Sequence, residues 1–329
     1  MGYVGSVLKE VLVKKNFQVT GCDIGYFPLN FSEQENTSIK VLKKDIRNLT
    51  KTDVQGHDAI IHLAALSNDP LGELYPSLTN EINHLATIKL AKLAKESGVV
   101  QFVFSSSCSS YGINKETVDE TSPIDPLTSY AKSKVDSEFD LRELEDEKFC
   151  PVIMRSATAY GLSPNFRFDL VVNNLTGAAF TTGSVKILSD GTPWRPLVHV
   201  EDMSNAFVQV LESDTEKVKG QIFNVGTNDD NYRVREIAQF IEEIVPDSKI
   251  EYAKNVDKDS RSYKVNFDKI KDQLGYKTKW KLKDGIKSIY EELKKRGILE
   301  KDFNDKKFYR VKYLKSLMEK GLLDEKLSV

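Results

Sequence analysis

The 329 residues carry 47 lysines and arginines against 49 acids, with four histidines and three cysteines. Both signs are interspersed, so the chain shows neither a nucleic-acid footprint nor a charged interaction tail. Cys22, Cys108 and Cys150 have no paired spacing, and His57, His62, His84 and His199 show no metal-ligand pattern, which argues against a disulfide framework or a metal site. No apolar run approaches the roughly 20 residues of a membrane span, and no signal peptide precedes the first helix. The expectation is a soluble, cytoplasmic protein with core enough for about two domains.

The chain opens Met1-Gly2-Tyr3-Val4-Gly5 and enters a helix predicted over Ser6–Lys15. The two glycines read as the end of a phosphate-binding turn, where backbone amides at a helix N-terminus approach a pyrophosphate. The predicted strand Phe17–Cys22 ends in Asp23, 18 residues after Gly5, placed to accept hydrogen bonds from an adenosine ribose. Ile24-Gly25-Tyr26 follow with no arginine for a 2′-phosphate, so NAD is expected rather than NADP.

Further strands are predicted at Lys40–Leu42, Ala59–Leu63, Val100–Phe104 and Pro151–Met154, with helices at Asn80–Ser97 and Ser129–Glu145. Strands alternating with helices indicate a Rossmann-type α/β fold, a doubly wound parallel sheet. The second half is less regular: residues 183–196 read as loop, Glu201–Glu212 as helix, Gln221–Val225 as strand and Arg233–Ile244 as helix. Tyr276–Trp280 leads into a helix at Lys283–Lys295. Residues 1–160, receiving about 196–228, form the expected NAD-binding domain, and 161–329 a smaller mixed α/β substrate domain. Lys306–Val329 reads as an amphipathic helix, with Phe308, Val311, Leu314, Leu317 and Met318 on the side expected to dock against its own chain.

Tyr130 and Lys134 stand four apart, one turn along a helix face, and Ser107 ends the preceding apolar strand. A phenol with a reference pKa of about 10 is a weak base at neutral pH. A neighbouring ammonium is expected to pull it downward, while the serine hydroxyl holds a carbonyl or alcohol oxygen. The same spacing recurs at Tyr111/Lys115, in a stretch read as loop, and at Tyr290/Lys294, where the lysine reads as a solvated helix charge. Neither has the strand and serine cluster upstream.

Together these motifs resemble the extended short-chain dehydrogenase/reductase family, in particular the NAD-dependent nucleotide-sugar epimerases and dehydratases such as UDP-galactose 4-epimerase. The resemblance runs from Gly2 to roughly Glu292 and includes Asp45-Ile46-Arg47, His62-Leu63-Ala64-Ala65, Asn83, Asn173-Asn174-Leu175, the segment from Arg195 to Asp202, Phe223-Asn-Val-Gly226 and Asp259-Ser-Arg261. It implies a catalytic trio of Ser107, Tyr130 and Lys134. It also implies NAD contacts from Gly2, Tyr3, Val4, Gly5, Asp23, Asp45, Ile46, Leu63, Ala64, Ala65 and Asn83, beside Tyr130 and Lys134. Ser107, Thr158, Asn174, Arg195 and Arg261 are then the substrate contacts, for a nucleotide-diphosphate sugar. A homodimer through a four-helix bundle is also implied. Two departures stand out. The first strand and first glycine of the fingerprint are missing, which suggests a natural start about ten residues upstream with Met1 inside the glycine turn. Thr158 occupies a position where many relatives carry asparagine.

Related dehydratases and decarboxylases place a carboxylate just after the catalytic serine or threonine. Here Cys108 and Ser109 stand there, and neither is a strong acid or base at its reference pKa. Cys108 is expected to face away as a buried thiol. The reading is therefore a 4-epimerase working through a transient 4-keto sugar. A nucleotide-sugar 4-ketoreductase or small-alcohol dehydrogenase is the alternative; a 4,6-dehydratase or a non-catalytic cofactor-sensing protein stands further off. His199, between Val198 and Val200, reads as structural, and Tyr160 as either pocket wall or core.

Overall fold

The computed structural model describes residues 1–31, 39–67, 69–253 and 262–328. Gln101–Ser107 lies inside a four-stranded parallel sheet, paired on one side with Ala59–His62 and on the other with Cys150–Ser156, which in turn pairs with Ile222–Val225. Side chains of a strand alternate between its faces. Phe102 and Phe104 therefore pack against Leu90, Ala91, Ala94 and Leu141 of the helices Ala86–Glu96 and Ser129–Glu143. Val103 turns to the opposite face, where Leu8, Leu12, Met203 and Phe207 extend from Tyr3–Lys14 and Val200–Glu212. Burying each of the Phe, Val, Leu and Met side chains among these contributes roughly 1.5–3 kcal/mol. The doubly wound arrangement expected from the strand–helix alternation is present.

One interruption sets this sheet apart. Thr20–Asp23 pairs in parallel with Lys40–Lys43 as a separate two-stranded ladder. Among the described residues no ladder joins it to Ala59–His62. Both strands instead line a cavity of about 1090 Å³ that extends to Ser107 and Tyr130. This separate ladder thus lies at the cofactor end of the sheet.

A second core forms around Phe166, Phe168, Ile237, Ile241, Ile286 and Ile289, enclosed by the helices Val171–Thr182, Val234–Ile244 and Leu282–Lys295. The segment 183–196, expected as loop, carries the strand Ser184–Ile187 and the start of Trp194–His199. Ser184–Ile187 is only four residues long and pairs with the distant Lys249–Tyr252, so its two buried positions, Val185 and Ile187, leave too brief an alternation to detect locally. The stretch after Gly112 is likewise a strand, Ile113–Val118, whose mostly polar side chains hide its pairing with Ser262–Val265. The expected helix at Lys306–Val329 is shorter, spanning Arg310–Glu319. The chain then turns at Gly321 with φ +67°, and Leu314, Leu323 and Leu327 dock with Leu66 and Leu78.

Gly112 ends the short turn Cys108–Tyr111 that begins at Ser107, with φ +65°. A Cβ there would lie 2.1 Å from the Asp125 carbonyl oxygen. Gly112→Ala should lower stability by roughly 1–3 kcal/mol, since both the left-handed backbone and the clash oppose it. A urea midpoint equal to that of the parent chain would show instead that the loop yields freely.

Candidate active site

Ser107 ends the strand Gln101–Ser107 and caps the following turn, its hydroxyl accepting from the Ser109 amide at 3.1 Å. Thr128 caps the helix Ser129–Glu143 by accepting from the Ala131 amide at 3.1 Å, which places Tyr130 in the first turn. The Ser107 hydroxyl lies near enough to the Tyr130 phenol to favour its ionised form. The Lys134 ammonium donates to the Ser105 carbonyl at 2.7 Å and lies 5.8 Å from the centre of the Tyr130 ring. Strand end and helix start therefore bring the expected trio together on one cavity wall.

The electrostatics differ from expectation. Burial dominates at Tyr130 and raises its phenol above the ordinary range; Asp69 adds to this, while Ser107 and Arg167 oppose it. Lys134 is itself buried, which lowers its ammonium to about 7, with Glu138 opposing. In the free protein the lysine thus does not make the tyrosine acidic, because desolvation outweighs a cation already turned toward a carbonyl.

Behind the trio, buried side chains fix its geometry. Glu138 pairs with Arg155 at 2.6 Å and is hydrogen-bonded by Ser106. Arg155 donates to the Tyr111 hydroxyl at 3.1 Å, and that hydroxyl donates to Asn224 at 2.8 Å, so the first rival tyrosine is structural. Tyr290 packs against Phe180 on its helix. Asn83, expected to touch cofactor, is fully buried and does not line the cavity. Its side-chain carbonyl accepts from the Leu66 amide at 2.7 Å, and its NH₂ donates to the Leu66 carbonyl and to Ser133, each at 3.2 Å. It braces the loop after Ala59–His62 from within the π-turn Glu81–Leu85. The Cys108 thiol faces away, donating to the Arg155 carbonyl at 3.2 Å.

At the cofactor end, Gly2 caps the helix Tyr3–Lys14 without a side-chain cap, leaving the first-turn amides of Tyr3, Val4 and Gly5 without intrahelical partners. No atom lies within 4 Å of a Cβ built on Gly2, so an anion has room to approach. The Tyr3 ring is engaged elsewhere, its hydroxyl donating to the Gly161 carbonyl at 2.7 Å, so it would offer only its amide. Asp23 accepts from the Gly25 amide at 2.7 Å and pairs with the Met1 ammonium at the cavity edge. Asp45 is paired with Arg47 at 2.6 Å, and Asp45, Ile46, Leu63, Ala64 and Ala65 all line the cavity. This set fits a dinucleotide: amides for phosphate, a carboxylate for ribose and apolar walls for the base.

On the substrate side, Thr158, Asn174 and Arg195 line the cavity, while Arg261 lies outside the described residues. His199 is buried and stacked on Trp280 at 4.0 Å, and Tyr160 is fully buried core. Ser67, Asp69, Arg167 and Arg310 also line the cavity and were not anticipated. Arg167 and Arg310 are more than nine-tenths buried. Only an arginine within the apolar run Phe166–Val172 could have signalled the first of them.

A family profile described as the NAD dependent epimerase/dehydratase family matches residues 1–226. The chain belongs to this family. Its cofactor is accordingly NAD, and it is an enzyme of the epimerase/dehydratase type. It is 29% identical to the dTDP-D-glucose 4,6-dehydratase of Mus musculus, over 74% of this chain and 69% of the relative. Against the UDP-glucose 4-epimerase of Rhizobium leguminosarum bv. trifolii the identity is 27%, over 88% and 94%. The fold superposes on the UDP-glucose 4-epimerase of Thermotoga maritima with a TM-score of 0.79, at 23% identity and covering 90% and 97% of the two chains. No helix among the described residues is long and apolar enough to cross a membrane.

Lys134 gives the free protein a pH signature. Its folded value near 7 lies below the unfolded value of 10.5, so between these the unfolded chain binds more protons and folding stability rises with pH. Urea unfolding of the free protein should show that rise between about pH 7 and 10. Lys134→Met should flatten it; a slope that persists in the variant would assign it to another group.

Proposed function

We propose that the protein is a nucleotide-sugar 4-epimerase. The observation that carries this reading is the meeting of Ser107, Tyr130 and Lys134 on one cavity wall, with Cys108 turned away and the hydroxyl of Ser109 beside it. Such a site moves one proton at one alcohol and supplies no carboxylate next to Ser107 for elimination.

NAD, when bound, supplies the hydride acceptor and donor and adds a positive ring that favours the phenolate. Tyr130 removes the proton from the sugar 4-hydroxyl and later returns it to the 4-keto oxygen. Ser107 holds that oxygen through both passes, and Lys134, anchored on Ser105, would orient the nicotinamide ribose. Thr158, Asn174 and Arg195 would hold the sugar and diphosphate; Arg195 suits phosphate because its planar fork binds two oxygens at once. Between the two passes the 4-keto sugar turns over in the cavity, so its opposite face would meet the returning hydride and C4 would invert, while Tyr130 gives the proton back to the oxygen.

A second reading, 4,6-dehydration, draws on Asp69. It lies close enough to Tyr130 to raise its phenol, accepts from Thr128 at 2.5 Å and lines the cavity, so a carboxylate is available near the phenol. NMR of products formed without added cofactor separates the two, because a 4-epimer and a 4-keto-6-deoxy sugar have different spectra. Tyr130→Phe should lower turnover by roughly 10²–10⁴-fold while NAD binding persists. Turnover of a verified substrate at parental rate in that variant would sink the mechanism.

We also propose a homodimer. Leu85 and Phe139 are 54% and 56% exposed on adjoining helical segments, the kind of apolar surface a helix bundle would cover. Replacing both with Asp should halve the mass measured by light scattering. A monomeric mass for the parent chain would refute the dimer.

A further inference from the structure

Two buried arginines meet at the cavity where the proposed mechanism has no use for them. Arg167 donates through Nε to Asp169 at 2.7 Å and through Nη1 to the Ser67 hydroxyl at 3.1 Å. Its Nη2 is buried with no hydrogen-bond partner. Arg310, the first residue of the helix Arg310–Glu319, donates through its backbone amide to the other oxygen of Asp169 at 3.0 Å. Its Nη2 donates to the Asn165 side chain at 2.6 Å, and its guanidinium lies 4.1 Å from the centre of the Phe27 ring. Its Nη1 is likewise buried without a partner. Both arginines thus meet at Asp169, Arg167 through its guanidinium and Arg310 through its backbone amide, and each guanidinium keeps an idle N–H group. A buried charge without compensation is costly, as is a buried donor without an acceptor. An anion accepting from both would remove both costs.

The position of this pair selects the anion. Ser67, which holds Arg167, precedes the helix Asp69–Leu74. Asp69 accepts from Thr128, two residues before Tyr130, and a Cβ on Gly72 would lie 3.0 Å from the Tyr130 Cβ. Arg167 is therefore tied to the segment packed on Tyr130, at the reacting end of the cavity. With the sugar 4-hydroxyl at Tyr130, a carboxylate at C6 hangs from C5, the carbon bonded to C4. The diphosphate leaves from C1, across the ring.

We propose that Arg167 and Arg310 form a carboxylate site, and that the substrate is a nucleotide sugar whose sugar is a uronic acid. This rests on the 4-epimerase reading for the placement of C4. A uronate carries no C6 hydroxyl to expel, so the same site disfavours 4,6-dehydration. The terminal helix thereby becomes part of the substrate pocket through Arg310, since Tyr309 and Val311 also line the cavity.

The test uses the full chain with NAD and two matched pairs of ligands: UDP-glucuronate with UDP-glucose, and dTDP-glucuronate with dTDP-glucose. Calorimetry measures affinity, and NMR follows epimerisation. The acid should bind at least about tenfold more tightly than its neutral partner in one pair, the equivalent of one charge-assisted hydrogen bond. Arg310→Gln should remove that preference and leave the neutral sugar within about threefold. Arg310→Lys, which keeps the charge without the fork, should retain part of it and guards against loss of folding in the first variant. Equal affinity within both pairs, or no binding of any of the four, overturns the proposal. So does a variant that weakens acid and neutral sugars alike, which would assign the arginines to the diphosphate. A preserved acid preference without epimerisation sinks the 4-epimerase reading and leaves the carboxylate site standing.

Discussion

The Lys134 ammonium, donating to the Ser105 carbonyl at 2.7 Å, ties the helix that carries Tyr130 to the strand that ends in Ser107. The rest of the site is organised around this buried contact. It fixes the height of the helix along the sheet, and with it the distance between phenol and hydroxyl. Burial keeps the ammonium near neutrality and the phenol protonated, so the free protein holds its proton-transfer pair in the resting form. By our proposal, NAD held in the neighbouring pocket would supply the positive charge that favours the phenolate.

Around that contact the protein places charge in concentric layers. Glu138 and Arg155 form an inner pair, each about 4% exposed, whose hydrogen bonds reach Ser106 and Tyr111. Breaking such a pair on one side leaves an uncompensated charge, so it locks the strand end and the turn after it. The cavity itself is lined by the open amides of Tyr3–Lys14 and by Arg167 and Arg310. Both sets favour anions, the amides the phosphates of a dinucleotide and, by our proposal, the arginines a carboxylate of the sugar.

Much of this architecture is legible in the residue order. The alternation of short apolar runs with helical patterns implied a parallel sheet, and the strand around Val103 appears with its two faces as the pattern requires. Ser107, Tyr130 and Lys134 were legible because all three lie where strand end and helix start are locally encoded. The strands at 113–118 and 184–187 were not, because each is short, partly polar and paired to a segment far along the chain. Asn83 shows a different limit: its position on the helix was readable, but its contacts with the Leu66 backbone and Ser133 depend on a π-turn and a packed loop.

The residue sequence by itself determined the fold class, the meeting of Ser107, Tyr130 and Lys134, and the cofactor, since each rests on spacing within one strand–helix unit, where geometry follows from periodicity. Tertiary structure alone decided the electrostatics of Tyr130 and Lys134, because burial and neighbours on other elements, such as Asp69 and Arg167, outweigh the effect expected of a nearby lysine. It also decided that Arg310, beyond the span of the resemblance, meets Arg167 across 143 positions (310 − 167) at one shared carboxylate. No periodicity carries such a meeting, for it exists only once the terminal helix has docked.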